Sequence, residues 1–133
     1  MRLALAFCLC AGSVWAQDEA TTQPTEPIAE TAEANGGVLR GLDKVSGATV
    51  DIEMLVGASK DFGRLQVTMS DCRYPADDPS SNSYAHLTIR EGAAAVVFDG
   101  WMVASSPALN ALDHARYDIW LLRCNTSAAS GSN

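Results

Sequence analysis

Three segments of the chain alternate apolar and polar residues with a period of two. Val50, Ile52, Met54 and Val56 alternate with Asp51, Glu53 and Leu55; Leu65, Val67 and Met69 alternate with Gln66, Thr68 and Ser70; Ala85, Leu87 and Ile89 alternate with His86, Thr88 and Arg90. Successive side chains of a strand point to opposite faces, so each pattern predicts a half-buried strand. Residues 94–99 and 117–122 are further runs rich in β-branched or aromatic side chains, and residues 38–42 form a weaker one. Between them Ser46-Gly47, Gly57, Glu91-Gly92 and Asp99-Gly100 supply residues that tolerate positive φ, which predicts turns, and residues 75–82 form a longer loop. One segment breaks the β pattern. Ser106 as N-cap, Pro107 at the first helical position and Ala108, Leu109, Ala111 and Leu112 after it predict a short helix or 3₁₀ turn. With no internal repeat, the expected fold is mostly β: a small antiparallel sandwich or barrel of six or seven strands with one short helical turn.

The ends of the chain read differently. Arg2, the apolar run of residues 3–10 and Val14-Trp15-Ala16 have the layout of a cleavable export signal, so residues 1–16 are expected to be removed and the mature chain to begin at Gln17, in the periplasm. The apolar run is shorter than a membrane span requires, and no later stretch is longer. The residues before Cys8 and Cys10 do not form a lipid-attachment motif. Both of those cysteines leave with the signal. Cys72 and Cys124 remain, and in an oxidising compartment they are expected to pair, closing a loop worth roughly 4 kcal/mol by chain entropy. Residues 17–37 carry Asp18, Glu19, Glu26, Glu30 and Glu33 with no Lys or Arg and are expected to be a disordered acidic leader; residues 125–133 are small and polar and are expected to be a disordered tail. That leaves a β-domain over residues 38–124 with 11 acidic and 8 basic residues. The whole chain has a net charge of −7, and no basic patch of the kind nucleic acid or anionic lipid needs is visible.

Candidate chemistry is sparse. Ser105, Ser106, Asp113 and His114 are close in sequence, but a hydrolase needs the imidazole within reach of a hydroxyl, and no Gly-x-Ser-x-Gly elbow surrounds either serine. Ser106 is read instead as a helix cap. His86 and His114 are the only histidines and fall in different elements, so no metal site is expected; Asp71, Asp77 and Asp78 flank a loop without the ligand spacing of a calcium-binding hand. No cofactor is implied. The aromatic residues Trp101, Tyr117 and Trp120 gather in the last third of the chain, where partner anchors of this type would sit. Alternation puts Tyr117, Ile119 and Leu121 on one face of the last strand and Asp118, Trp120 and Leu122 on the other. Apolar bulk on both faces marks a strand that is either central in a sandwich or covered by a partner. Trp101 is read as core before interface, and Trp120 is left open between the two.

Residues 98–114, with Gly100-Trp101-Met102-Val103-Ala104-Ser105-Ser106-Pro107 at their centre, then Tyr117-Asp118-Ile119-Trp120-Leu121 and Cys124, resemble the domain-of-unknown-function family 2155 of exported alphaproteobacterial proteins. Residues 39–47, Phe62-Gly63-Arg64-Leu65 and Cys72 are similar to its start and middle. The resemblance implies a paired-cysteine β-domain in a Gram-negative periplasm and brings no reaction, ligand or catalytic residue. The expected function is therefore a non-enzymatic module that contacts another envelope protein through Trp101, Ser105, Ser106, Leu109, His114 and Trp120. The competing readings are a serine hydrolase using Ser105 or Ser106 with His114, and a carrier of a small apolar ligand.

Overall fold

The computed structural model describes residues 29–126 apart from Ala94. The proposed signal at 1–16, most of the leader and residues 127–133 lie outside the described residues. Eight strands and one 3₁₀ turn follow in the order β1 Thr31–Glu33, β2 Gly36–Asp43, β3 Thr49–Leu55, β4 Ser59–Phe62, β5 Leu65–Pro75, β6 Tyr84–Glu91, β7 Ala95–Val103, the turn Pro107–Leu109, and β8 Tyr117–Cys124. All pairings are antiparallel. One sheet runs β1-β5-β6-β7, with β4 pairing the start of β5 on the side where β1 pairs its end; the other runs β3-β2-β8.

The core lies between the sheets. Leu65, Val67, Met69, Leu87, Ile89, Phe98 and Met102 of the larger sheet meet Leu39, Ile52, Met54, Ile119 and Leu121 of the smaller one. Ile52, Met54, Leu65, Val67, Met69, Leu87 and Ile89 among them are inward positions of the period-two patterns, and burying the set removes apolar surface from water, at roughly 25 cal/mol per Å². The expected disulfide is present. Cys72 of β5 and Cys124 of β8 are bonded with a Cα–Cα distance of 5.8 Å, tying one sheet to the other inside the core.

Four expectations are corrected. Order begins before Val38: β1 pairs with β5, Glu33 reaches Arg73 at 2.9 Å, and Ala34, Gly36 and Gly37 are buried, so the acidic leader does not extend to residue 37. The strand expected over residues 65–70 does not end there but runs on to Pro75, with Cys72 inside it. The register between β5 and β6 shifts between Met69 and Asp71, leaving Ser70 as an extra residue, and this bulge moves Cys72 and Tyr74 onto the buried face that Leu65, Val67 and Met69 occupy upstream. Asp99-Gly100 is not a turn, because β7 runs through it; Gly100 serves close packing, since a Cβ there would stand 2.8 Å from Asn110 Nδ2. The turn the pattern missed is Gly63, at φ +59°, between β4 and β5. Finally, Ser106 occupies the N-cap position and Pro107 the first turn, but the Ser106 side chain makes no capping hydrogen bond.

Candidate functional site

Edge strands leave backbone groups unpaired, and accounting for them locates the site. In the smaller sheet β8 has β2 on one side only. The bond from Lys44 N–H to the Arg116 carbonyl, together with the register Leu42 to Asp118 and Arg40 to Trp120, fixes which groups face β2. Asp118 and Trp120 turn their N–H and C=O toward β2; Tyr117, Ile119 and Leu121 turn theirs away, because an antiparallel ladder alternates. Past the bulge near Leu122 the phase changes, and Cys124 turns outward.

Side chains satisfy the outward N–H groups at the two ends of β8. The Tyr117 N–H donates to His114 Nδ1 at 3.0 Å, and the Cys124 N–H to Ser83 Oγ at 2.9 Å. Ser83 is the one buried polar residue among those described. Between these caps, Ile119 and Leu121 have no hydrogen-bond partner for their outward groups among the described residues.

Opposite this open stretch runs the strap of residues 104–116. It is fixed at its start by Ala104 N–H to the Ser83 carbonyl at 2.9 Å and by Ser105 N–H to Asn82 Oδ1 at 3.1 Å. Asn110 Nδ2 donates to the Trp101 carbonyl at 3.0 Å, and Leu112 is buried in the core. At its end Arg116 binds Asp43 at 2.8 Å, which holds the Asp43 carboxyl below its usual range through the side-chain hydrogen bond first and the Val45 N–H second. Two surface hollows lie along β8, one reaching Trp120 and the other beginning at Leu122. One, of about 340 Å³, is lined by Pro107, Ala108, Ala111, Asp118, Ile119 and Trp120. The other, of about 450 Å³, lies along residues 122–126 and faces Asn82, Ser83 and Ser105. The result is a trough along the free edge of β8, apolar at one end and rich in hydroxyl and amide groups at the other.

The sequence candidates separate in this frame. Ser105 and Trp120 line the trough, Ser106 starts the turn that walls it, and Leu109 on that turn is 76% exposed. Trp101 is not core: it is 41% exposed on the outer face of the larger sheet, edge-on to His86 with ring centroids 5.3 Å apart. Half-buried Trp120 lies on the outer face of the smaller sheet, since its neighbours Ile119 and Leu121 point into the core. The two tryptophans therefore do not share one surface.

His114 is committed to the backbone. Its Nδ1 accepts the N–H groups of Arg116 and Tyr117 at 3.1 and 3.0 Å, so that nitrogen carries no proton; Nε2 then donates to Glu91, 3.2 Å away, and Glu91 also binds Arg64 at 3.1 Å. The ring stacks on Tyr117 and its side chain is 8% exposed. Neither Ser105 nor Ser106 is among its partners. A second serine and histidine pair escaped sequence reasoning because β5 and β6 bring it together across a strand pairing: Ser70 Oγ lies 2.8 Å from His86 Nδ1 on the outer face of the larger sheet. The His86 carbonyl competes for the Ser70 hydroxyl at 3.2 Å, and Asp99 stands 3.7 Å from His86 Nε2, beyond hydrogen-bond distance. Among the described residues no three His, Cys, Asp or Glu side chains are grouped to hold a metal ion, and no helix is long and apolar enough to cross a membrane.

Residues 37–124, which include β8 and the strap, match the model of a family described as an uncharacterized protein conserved in bacteria. The chain belongs to domain-of-unknown-function family 2155. The family 2155 match thus covers the β-domain and both cysteines of the disulfide. The chain is also 28% identical over 100 residues to the uncharacterized protein RP359 of Rickettsia prowazekii (strain Madrid E), across 72% of this chain and 64% of that protein's length. No solved structure matches it.

Proposed function

We propose that this protein is a non-enzymatic interaction module of the bacterial cell envelope, exported to the periplasm, and that it binds another envelope protein in the trough between β8 and the strap. The observation that carries this reading is the outward backbone of Ile119 and Leu121, unpaired among the described residues, with Ile119 lining a hollow it shares with Trp120, Pro107, Ala108 and Ala111. Exposed apolar walls beside unsatisfied backbone groups are what a partner covers. Trp120 supplies the aromatic anchor typical of such contacts. Two further observations favour a module over a serine hydrolase: His114 spends both ring nitrogens on Arg116, Tyr117 and Glu91, and Ser70 and His86 have no carboxylate at bonding distance behind them. The hollows also open along the edge of β8 and not between the sheets, where a carrier of a small apolar ligand would hold its cargo. The acidic stretch before Glu30 serves as a spacer.

The test is a photo-crosslinking residue placed in the producing cells at exposed Ala108, in the trough wall, and separately at Val45, which is 77% exposed on the turn between β2 and β3. A discrete adduct from Ala108 in the periplasmic fraction, absent from Val45, is expected. Equal adducts from both positions, or none from Ala108, would overturn the reading.

A further inference from the structure

The remaining edges of the fold are each protected. β1 and β4 have only 3 and 4 residues. β3 alternates its buried side chains with the exposed carboxylates of Asp51 and Glu53. β7 meets the strap at its Trp101 end, where Asn110 satisfies the Trp101 carbonyl, and carries the exposed carboxylate of Asp99 beside it. Short length, charge and a covering loop are the means by which sheets avoid adding strands. β8 has none of these along its middle, and among the described residues its outward groups find partners at the two ends only.

From this we infer that the occupant of the trough is an extended peptide segment of another protein, added to the smaller sheet as a strand beside β8, an inference that rests on the reading of the trough as the binding site. The backbone of Ile119 and Leu121 selects an extended chain, because only a strand presents N–H and C=O groups at the matching repeat of about 6.8 Å. The two hollows together run from Asp118 to Thr126, enough for about six or seven extended residues. The outer face of β8 sets the sequence of the guest. Asp118, Trp120 and Arg123 lie along it in order, and neither Asp118 nor Arg123 forms a salt bridge among the described residues. Cross-strand neighbours of opposite charge are favourable, so the guest places a basic residue beside Asp118, an apolar one beside Trp120 and an acidic one beside Arg123. Its alternate side chains turn toward Pro107, Ala108 and Ala111, where small apolar groups fit.

The experiment selects binders from a random heptapeptide library displayed on phage against the whole mature chain, then uses the synthesised consensus heptapeptide as probe. Expected are slowed amide exchange of Ile119 and Leu121 on binding, at least about tenfold weaker binding when the peptide is N-methylated at the alternate residues facing β8, and no such loss when the other residues are methylated. Asp118→Lys should weaken the peptide about tenfold and recover it when the basic residue of the peptide is replaced by Glu. Failure of the library to enrich, protection on any other face, or indifference to N-methylation would overturn the inference. So would protection of the Ile119 and Leu121 amides in the absence of peptide, whether it rises with protein concentration, as for a second copy, or disappears on deleting residues 17–28 or 127–133, as for a segment of this chain. A specific Ala108 adduct in cells combined with indifference to N-methylation would leave the trough as the binding site and remove only the added strand. Loss of the Ala108 adduct would remove both.

Discussion

Replacing His114 by Ala separates a backbone cap from a catalytic base. In the structure the imidazole accepts two backbone N–H groups and donates to Glu91, and its ring is almost fully buried against Tyr117. Each of the three hydrogen bonds contributes about 1 kcal/mol net, and losing the buried ring adds a packing term, so His114→Ala should cost at least about 3 kcal/mol. For a domain of this size that is a fall in melting temperature of roughly 12–24 °C. The damage should concentrate at the start of β8, where Arg116 and Tyr117 lose their acceptor. Ser105→Ala and Ser106→Ala should each stay within about 0.5 kcal/mol, because neither hydroxyl has a hydrogen-bond partner among the described residues and Ser106 does not cap its turn. The assay is reversible urea unfolding of the three variants side by side. A His114→Ala protein within about 1 kcal/mol of the parent would refute the capping role. A loss of about 1 kcal/mol or more in Ser106→Ala would restore the cap that the structure denies.

Replacing both Cys72 and Cys124 by Ala opens a loop with a sequence separation of 52 and should cost about 4 kcal/mol, read as a lower urea midpoint; a cost under about 1.5 kcal/mol would show that the sheets hold together without the bridge. Asp43 and Asp51 titrate below their usual range because Arg116 and Arg40 respectively hydrogen-bond their carboxylates. Their contribution is therefore complete above the unfolded carboxyl pKa of about 3.9 and is lost as pH falls through the lower folded values. Melting followed from pH 6 down should decline below about pH 4, and Asp43→Asn should flatten that decline; an unchanged profile in the variant would contradict the assignment.

Much of the fold was legible because the core writes itself as alternation. Ile52, Met54, Leu65, Val67, Met69, Leu87 and Ile89 were read as one face of their strands, and all are buried. Val50 shares that phase but is 52% exposed, since the core side of its β2 neighbour Gly41 is already filled by the Phe62 ring. The pattern failed where geometry depends on a distant partner. Ser70 is an ordinary polar residue until β6 pairs on both sides of it and makes it a bulge, which hides the second half of β5. β4, Ser59-Lys60-Asp61-Phe62, is mostly polar and exists because it pairs with β5. Gly100 looks like a turn residue, yet what it provides is room for Asn110.

The site shows the same division. Ser105, His114 and Trp120 were legible as notable residues, and apolar bulk on both faces of the last strand was read as central or partner-covered. β8 proves to be an edge strand whose outward backbone is, among the described residues, unpaired along its middle, a property fixed by which strands pair and invisible in any local pattern. His114 stands out in the sequence as a candidate base, and its role as an acceptor for two N–H groups follows only from the loop that folds it back on Arg116 and Tyr117.

The open edge itself is the central claim, and residue-resolved amide exchange of the free mature protein tests it most directly. Asp118 and Trp120 face β2 and should exchange slowly, near the global limit, whereas Ile119 and Leu121 between and beside them should exchange orders of magnitude faster despite their buried side chains. Uniformly slow exchange across these four residues would mean that the edge of β8 is already covered, and would contradict the account.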